Sequence, residues 1–347
     1  MNKILFLSDN GTEHMADHLF HGLVELFGNE SILDYPRKSR YHVKELKDTG
    51  NAYLNWCQCL DLREDIPHLN DDQLVDIINR GDIDLIISSI RASDVFLRLI
   101  DRINNRIKVI ILNGEDDSDW HYRNTLLPKF GKYLNRIHMI MQREYKSNIS
   151  FERKVIPFYG PLPLRNFPNL DFKKNKSIDV LCRMGDTHPN RSLLRNKLIE
   201  VCQKNGWKAD ISGDHYTMNE YFARMNDSKI CVHHGGAGWE STHYLNIPLA
   251  KSLLLAQPPK NCLHTSTLKP DPTLFPNNFI DRESAVFYSN SFSDLESLIS
   301  FYLNNDSERE RVTINGYEHV INKLTSKHLA EYILACVENL DYWRSLV

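Results

Sequence analysis

Along this chain, apolar residues occur in two alternating schemes. Short, near-continuous runs of strand length are separated by stretches in which apolar positions recur every three to four residues, the spacing of one helix face. In the first half, residues 4–8 (ILFLS) and 31–35 (SILDY) predict strands, the second stopped by Pro36. Residues 15–27 predict a helix closed by Gly28. Residues 83–89 (IDLIISS) and 108–112 (KVIIL) are apolar almost throughout, as parallel strands covered on both faces must be. A helix is predicted between them over 94–103, and a weaker strand over 138–142. Residues 37–69 have no period that selects an element.

Pro157, Pro161, Pro163 and Pro168 then crowd together, followed by Lys173, Lys174 and Lys176. Proline interrupts helix and ladder alike, so a hinge is placed between residues 160 and 176. Beyond it the alternation restarts. Strands are predicted over 178–182 (IDVLC), 208–212, 229–233 (KICVH) and 248–254, and helices over 191–204 (ended by Gly206), 219–225, 239–245, 294–303 and 317–336. Repeated βα units in both halves predict two parallel α/β sheets, one per lobe, facing each other across a cleft. The domains are drawn as 1–165, 166–325, and a terminal helix over 326–347 that packs back toward the first lobe. Ligands of such sheets bind where strand ends run into helix starts, which selects the loops 9–14, 89–93, 113–120, 183–190, 213–218 and 233–240.

Composition adds exclusions. The chain has 347 residues, long enough for two cores. Its 42 Lys and Arg against 45 Asp and Glu leave a net charge of -3, without the basic excess of a nucleic-acid wrapper. No apolar run reaches membrane-spanning length. The first nine residues read as a buried strand and not as an export signal. Seven scattered cysteines predict a reducing, cytoplasmic setting. Cys57 and Cys59 are a close pair, but without two further ligands at suitable spacing they are not read as a zinc site.

The most informative segment is CVHHGGAGWE, residues 231–240, where an apolar strand runs into three glycines within four residues and then a predicted helix. Glycine lets the backbone approach a ligand closely, and the amides and dipole of a helix start favour an anion. A diphosphate is the expected guest; the alternative is a tight turn with no ligand. Residues 233–250, HHGGAGWESTHYLNIPLA, resemble the donor-binding segment of GT-B glycosyltransferases, two Rossmann-like lobes with parallel sheets facing across a cleft. Residues 178–195 (IDVLCRMGDTHPNRSLLR) and the tail from 292 to 334 are similar to the C-terminal lobe of CgeB-like, glycosyltransferase family 1-like proteins.

The resemblance implies transfer of a sugar from a nucleoside diphosphate sugar to an acceptor that is a glycan, small molecule, protein or nucleic acid, with no obligatory metal and no other cofactor. It assigns donor binding to Gly235, Gly236, Ala237 and Gly238 through backbone amides and to His234 through its ring. Glu240 would hold the ribose, Arg183 and Arg191 would supply positive charge, and His215 and Tyr216 would lie near the base. A proton acceptor belongs on the acceptor lobe, near the first strand ends. Asp9, His14 and Asp17 form one candidate set, and Glu115, Asp116 and Asp117 the other. Asp117-Ser118-Asp119 spells a metal-binding Asp-x-Asp, discounted because two such lobes supply their own diphosphate site. Two other functions fit the same scaffold: a nucleotide-sugar epimerase or related UDP-sugar enzyme, and a non-catalytic binding protein.

Overall fold

A computed structural model describes residues 3–11, 13–42, 68–116, 118–145, 153–164, 167–173, 175–213, 216–236, 238, 241–258, 263–264, 269–270 and 279–346. They fall into two compact units. Met1–Asn166 and Ser326–Val347 belong to the N-terminal unit, Phe167–Asn261 and Asn277–Thr325 to the C-terminal unit.

The N-terminal unit is built on six parallel strands: β1 (Ile4–Leu7), β2 (Ile32–Tyr35), β3 (Leu85–Ser89), β4 (Lys108–Asn113), β5 (Met139–Arg143) and β6 (Val155–Phe158). Their spatial order is β2-β1-β3-β4-β5-β6. Leu5 pairs with both Leu33 and Ile86, which puts β1 between its two successors. All but one of the residues in β1 and β3–β5 are buried, the continuous apolar runs being covered on both faces. The C-terminal unit repeats the plan with β7 (Ile178–Arg183), β8 (Ala209–Ser212), β9 (Ser228–His233), β10 (Leu253–Ala256) and β11 (Val286–Phe287), in the order β11-β10-β9-β7-β8. Its core joins Val180, Leu194, Leu198, Val232, Leu255 and Ile299. Each such side chain contributes about 1.5–3 kcal/mol through burial.

Helices cross between the strands. In the N-terminal unit these are α1 (His14–Phe27), α2 (Asp71–Arg80) and α3 (Ser93–Leu99). Gly28 closes α1 at φ 75°, and α2 starts in a capping box of Asn70 and Gln73. The C-terminal unit holds α4 (Pro189–Asn205), α5 (Met218–Asn226), α6 (His243–Leu249), α7 (Leu295–Asn304) and α8 (Asp306–Lys323). α4 begins with Pro189 after a His188 cap and ends on left-handed Gly206, the two local signals that bound a helix most sharply.

Three predicted elements differ from the structure. The helix predicted over 239–245 and the strand over 248–254 give way to α6, which runs through Pro248, and to β10, which starts only at Leu253. Pro248 sits in the last turn of α6, where its missing amide forfeits a single bond and the helix can continue. The helix predicted over 317–336 is two helices, α8 and α9 (Ser326–Glu338), because the chain passes from one unit to the other between Thr325 and Ser326. β6 and α2 were not anticipated. Pro157 lies inside β6, an edge strand of its sheet, where a ladder amide can be spared.

Two buried features hold α1 in place. The first is a polar cluster around Asp17, a fully buried carboxylate on α1. It accepts from Lys38 Nζ and from the Tyr41 hydroxyl, each at 2.6 Å, and from the Glu13 amide at 3.1 Å. Such a charge is tolerated because its lone pairs are filled by charged and neutral donors. The second is a close approach of α1 to the start of α9, which belongs to the same unit. A Cβ on Gly22 would lie 1.9 Å from the Ser326 carbonyl oxygen. Ser326 is itself tethered by its amide to the Leu162 carbonyl, 2.9 Å. Replacing Gly22 by Ala should therefore cost about 1–3 kcal/mol or more, visible as a lower midpoint in urea unfolding. An unchanged midpoint would mean that α9 is not seated on α1 at this glycine.

Candidate functional site

The strand order of the C-terminal unit places its ligand crevice. From β7 the chain crosses to β8 on one side, then to β9 on the other, so the crossovers leave the β7 and β9 carboxyl ends in opposite directions. At that point β7 delivers the loop Arg183 to His188 into the amino end of α4, and β9 delivers His233 to Gly236. Arg191, on the first turn of α4 and buried, ties the two loops together. Its Nε donates to the carbonyls of His234 and Gly235 at 3.2 and 3.1 Å, and its Nη1 to the Gly185 carbonyl and Thr187 Oγ1 at 3.1 and 2.8 Å. Burial lowers its pKa from the ordinary arginine value, while a guanidinium so placed stays charged.

Gly236 is packed under this cross-tie. A Cβ there would stand 3.0 Å from both Arg191 Nη2 and Thr187 Oγ1. Its amide donates to the Gly238 carbonyl at 3.0 Å, so it closes the turn. His234 is buried, its Nδ1 hydrogen-bonded to the Gly235 carbonyl at 2.9 Å and its ring stacked on His188, the α4 cap, at a centroid distance of 5.6 Å. The His234 amide meets Met184 Sδ at 3.1 Å. The glycine turn is thus joined to the amino end of a 17-residue helix by a guanidinium and a stacked imidazole pair.

Arg183 is placed differently from Arg191. Its Nε donates to Asp210 Oδ1 at 2.7 Å and its Nη2 to the Tyr216 hydroxyl at 2.6 Å, with the guanidinium 4.3 Å from the Tyr216 ring centroid. Tyr216 in turn donates to Asp210 Oδ2 at 2.9 Å. The charge of Arg183 is therefore already answered by Asp210. Arg195, one turn beyond Arg191, was overlooked in the sequence. It reaches the Met184 carbonyl at 2.7 Å and the Asp186 carboxylate, fixing the same β7–α4 loop. Its signal was the four-residue spacing from Arg191, which puts both on one face of α4. His215, Ala237 and Glu240 lie outside the described residues, as do Asp117, Cys57 and Cys59.

The N-terminal unit has the equivalent reversal between β1 and β3. Asp9 accepts the Gly11 amide at 3.1 Å, a local turn beyond β1. His14 is exposed at the start of α1; partial desolvation lowers its pKa, opposed by Asp17 and assisted by Arg91 and Arg143. Asp116 is paired with Arg143 at 2.7 Å, and Glu115 with Arg91. Asp17 is enclosed in its cluster and is no surface group. Glu13 was also overlooked. It is buried, and the Ser89 hydroxyl at the end of β3 donates to its Oε2.

A model of the family described as "Glycosyl transferase-like" matches residues 191–335. No curated protein sequence matches the chain. Among solved structures, HepE of Anabaena in complex with UDP is 11% identical, covering 97% of this chain and 99% of that one with a TM-score of 0.55. The same protein in complex with UDP-glucose is 10% identical, with 97% and 99% coverage and a TM-score of 0.56. This likeness carries the fold, two Rossmann-like α/β units of the GT-B type.

Buried histidines give the fold an acid limit. Burial holds His18 down to about 3 and His233 well below the ordinary 6.5. An unfolded chain then binds protons before the folded one does. The stability these histidines contribute is full above about pH 6.5 and is lost as pH drops toward about 3. Among the described residues neither ring nitrogen of His233 has a hydrogen-bond partner, and its ring stacks on His243 at 4.7 Å. Replacing His233 by Phe should keep the stack, leave stability at pH 7 unchanged or higher, and flatten the acid loss. Urea midpoints at pH 7, 5 and 4 measure both. A steeper acid loss in the variant would contradict the buried neutral imidazole.

Proposed function

We propose that this GT-B glycosyltransferase takes its sugar from a nucleoside diphosphate sugar held by the C-terminal unit, with a uridine nucleotide as the preferred carrier. The observation that carries the reading is the reversal between β7 and β9, with the glycine turn and the amino end of α4 locked together by Arg191. The glycosyl transferase-like family model, matching residues 191–335, takes in Arg191, β9 and the glycine turn. The uridine preference is taken from the UDP and UDP-glucose bound by HepE.

Cleaving the bond between an anomeric carbon and a diphosphate leaves two negative charges to be stabilised as they develop. The amino end of α4 offers a positive dipole end, its first amides being taken by His188, and the Arg191 guanidinium supplies full charge beside it. Arg191 acts mainly as the strut that keeps the glycine turn against the helix, since its Nε and Nη1 are spent on carbonyls. The reaction is read as independent of metal because the helix dipole and a guanidinium provide this neutralisation, and no resident cofactor is invoked. Arg183 and Tyr216 are paired through Asp210 at the ends of β7 and β8. A cytoplasmic setting fits the four described cysteines, all buried and free.

UDP and UDP-glucose should raise the melting temperature. A ligand at about 100 times its Kd adds about 2.7 kcal/mol of stability. Gly236→Val pushes a branched side chain into Arg191 and Thr187. It should abolish that shift while the variant still unfolds cooperatively. A panel of UDP-, GDP-, ADP-, CMP- and dTDP-sugars in which none shifts the wild type would end the reading. A full shift in Gly236→Val would show that the glycine turn is only a turn.

A further inference from the structure

A cavity of about 200 Å3 lies at the carboxyl end of β2. β2 is the edge strand of its sheet, so the cavity lies outside the β1–β3 reversal. Among the described residues its wall includes the apolar Leu33 and Leu69 and the polar Asp34, Tyr35, Arg37 and His68. The acids near it are turned to other groups. Asp34 is buried and accepts the Lys38 amide at 2.7 Å and His42 Nε2 at 3.0 Å. The Tyr35 hydroxyl donates to Asp71, whose other oxygen takes Arg98 Nε at 3.1 Å. Arg37 and His68 meet each other at the cavity, Arg37 Nη1 standing 3.0 Å from His68 Nε2. A guanidinium can only donate, so Nε2 accepts and the ring carries its proton on Nδ1.

A largely apolar hollow with a few convergent polar groups is the general form of a small-molecule site, the polar groups fixing the orientation of the guest. Here those groups select a class. The planar fork of the Arg37 guanidinium matches the two oxygens of a carboxylate and repels a cation. The His68 Nδ1–H adds a neutral donor. Leu33 and Leu69 favour hydrocarbon over water. A dianionic phosphate has no body to lay against these leucines, and it carries more charge toward Asp34 and Asp71. Size sets the remaining limit. An apolar cavity of about 150 Å3 holds benzene, so this one holds a carboxylate on a six-membered ring or on a short chain. We propose that the cavity at the end of β2 binds a small organic acid, its carboxylate on Arg37 and His68 and its short apolar body against Leu33 and Leu69.

The site does not rest on the glycosyltransferase reading, because all of these residues belong to the N-terminal unit and the nucleotide is assigned to the other. Its wall is nevertheless tied to the interior of its own unit. Asp34 holds the Lys38 amide, and Lys38 Nζ holds the buried Asp17 of α1 at 2.6 Å. A guest seated on Arg37 therefore braces the segment that carries the counter-ion of Asp17. Since such a guest binds the folded chain and not the unfolded one, it must raise the melting temperature.

The test titrates benzoate, hexanoate, benzyl alcohol and inorganic phosphate into the full chain by calorimetry, with melting temperatures alongside. Benzoate and hexanoate should bind and raise the melting temperature. Benzyl alcohol, which keeps the ring and lacks the charge, should bind about tenfold more weakly or worse, and phosphate should be weaker than benzoate. Arg37→Gln should weaken benzoate by about 10- to 100-fold and His68→Phe by about threefold or more, the ordinary worth of charged and neutral hydrogen bonds. Urea midpoints show whether both variants fold. If either does not, intermolecular NOEs from benzoate in wild type decide the matter. Cross-peaks to the Leu33 and Leu69 methyls uphold the site, and cross-peaks confined to other residues overturn it. The proposal also fails if wild type does not bind benzoate at millimolar concentration, or if benzyl alcohol, phosphate or Arg37→Gln matches benzoate on wild type. Displacement of benzoate by UDP overturns it as well, since the acid would then occupy the nucleotide site.

Discussion

A strand can lie parallel to its predecessor only if the chain crosses over a face of the sheet, and crossovers of one hand cover both faces of an open sheet only if they change direction at some point. That geometric requirement governs this protein. In each unit the second strand lies on one side of the first and the third on the other, so two loops part at the carboxyl ends of neighbouring strands. Between β7 and β9 the gap is furnished with glycines, the positive end of a helix and a guanidinium. Between β1 and β3 it is furnished with carboxyls and hydroxyls. The same topology yields two chemically different places, and side chains alone make the difference.

In both places the polar groups that fix the loops outnumber those left for a ligand. Arg191 devotes two of its nitrogens to backbone carbonyls of two loops, and Arg195 repeats the task a turn later. Asp17 holds the Glu13 amide while Lys38 and Tyr41 hold Asp17. A site of this kind is preorganised by a supporting layer, and its geometry does not depend on the ligand to assemble it. It also explains why the buried Asp17 carboxylate is tolerated: its oxygens accept from Lys38, Tyr41 and the Glu13 amide.

The candidate residues chosen from sequence were chosen by type and loop position. The loops after β1, β7 and β9 carry polar groups at the two reversals, but a side chain's availability depends on what it has already bonded. Arg183 and Arg191 look alike in sequence, yet one is neutralised by Asp210 and the other braces carbonyls. Glu13 sits beside His14 in the chain, but only the pairing of β1 with β3 turns it inward onto Ser89.

What the chain by itself determined is the class of fold and the loops that matter. Continuous apolar runs can be satisfied only by strands covered on both faces, and glycine at 28 and 206 stops helices through local backbone freedom. What only the tertiary structure decided is where local signals are ambiguous or partners are remote. The break between α8 and α9 falls where the chain changes units, within a helical period that carries straight on. Gly22 is required by Ser326, some three hundred residues away, and the state of each buried acid is set by neighbours from other strands. Periodicity records which face is apolar, whereas burial and pairing depend on what that face meets.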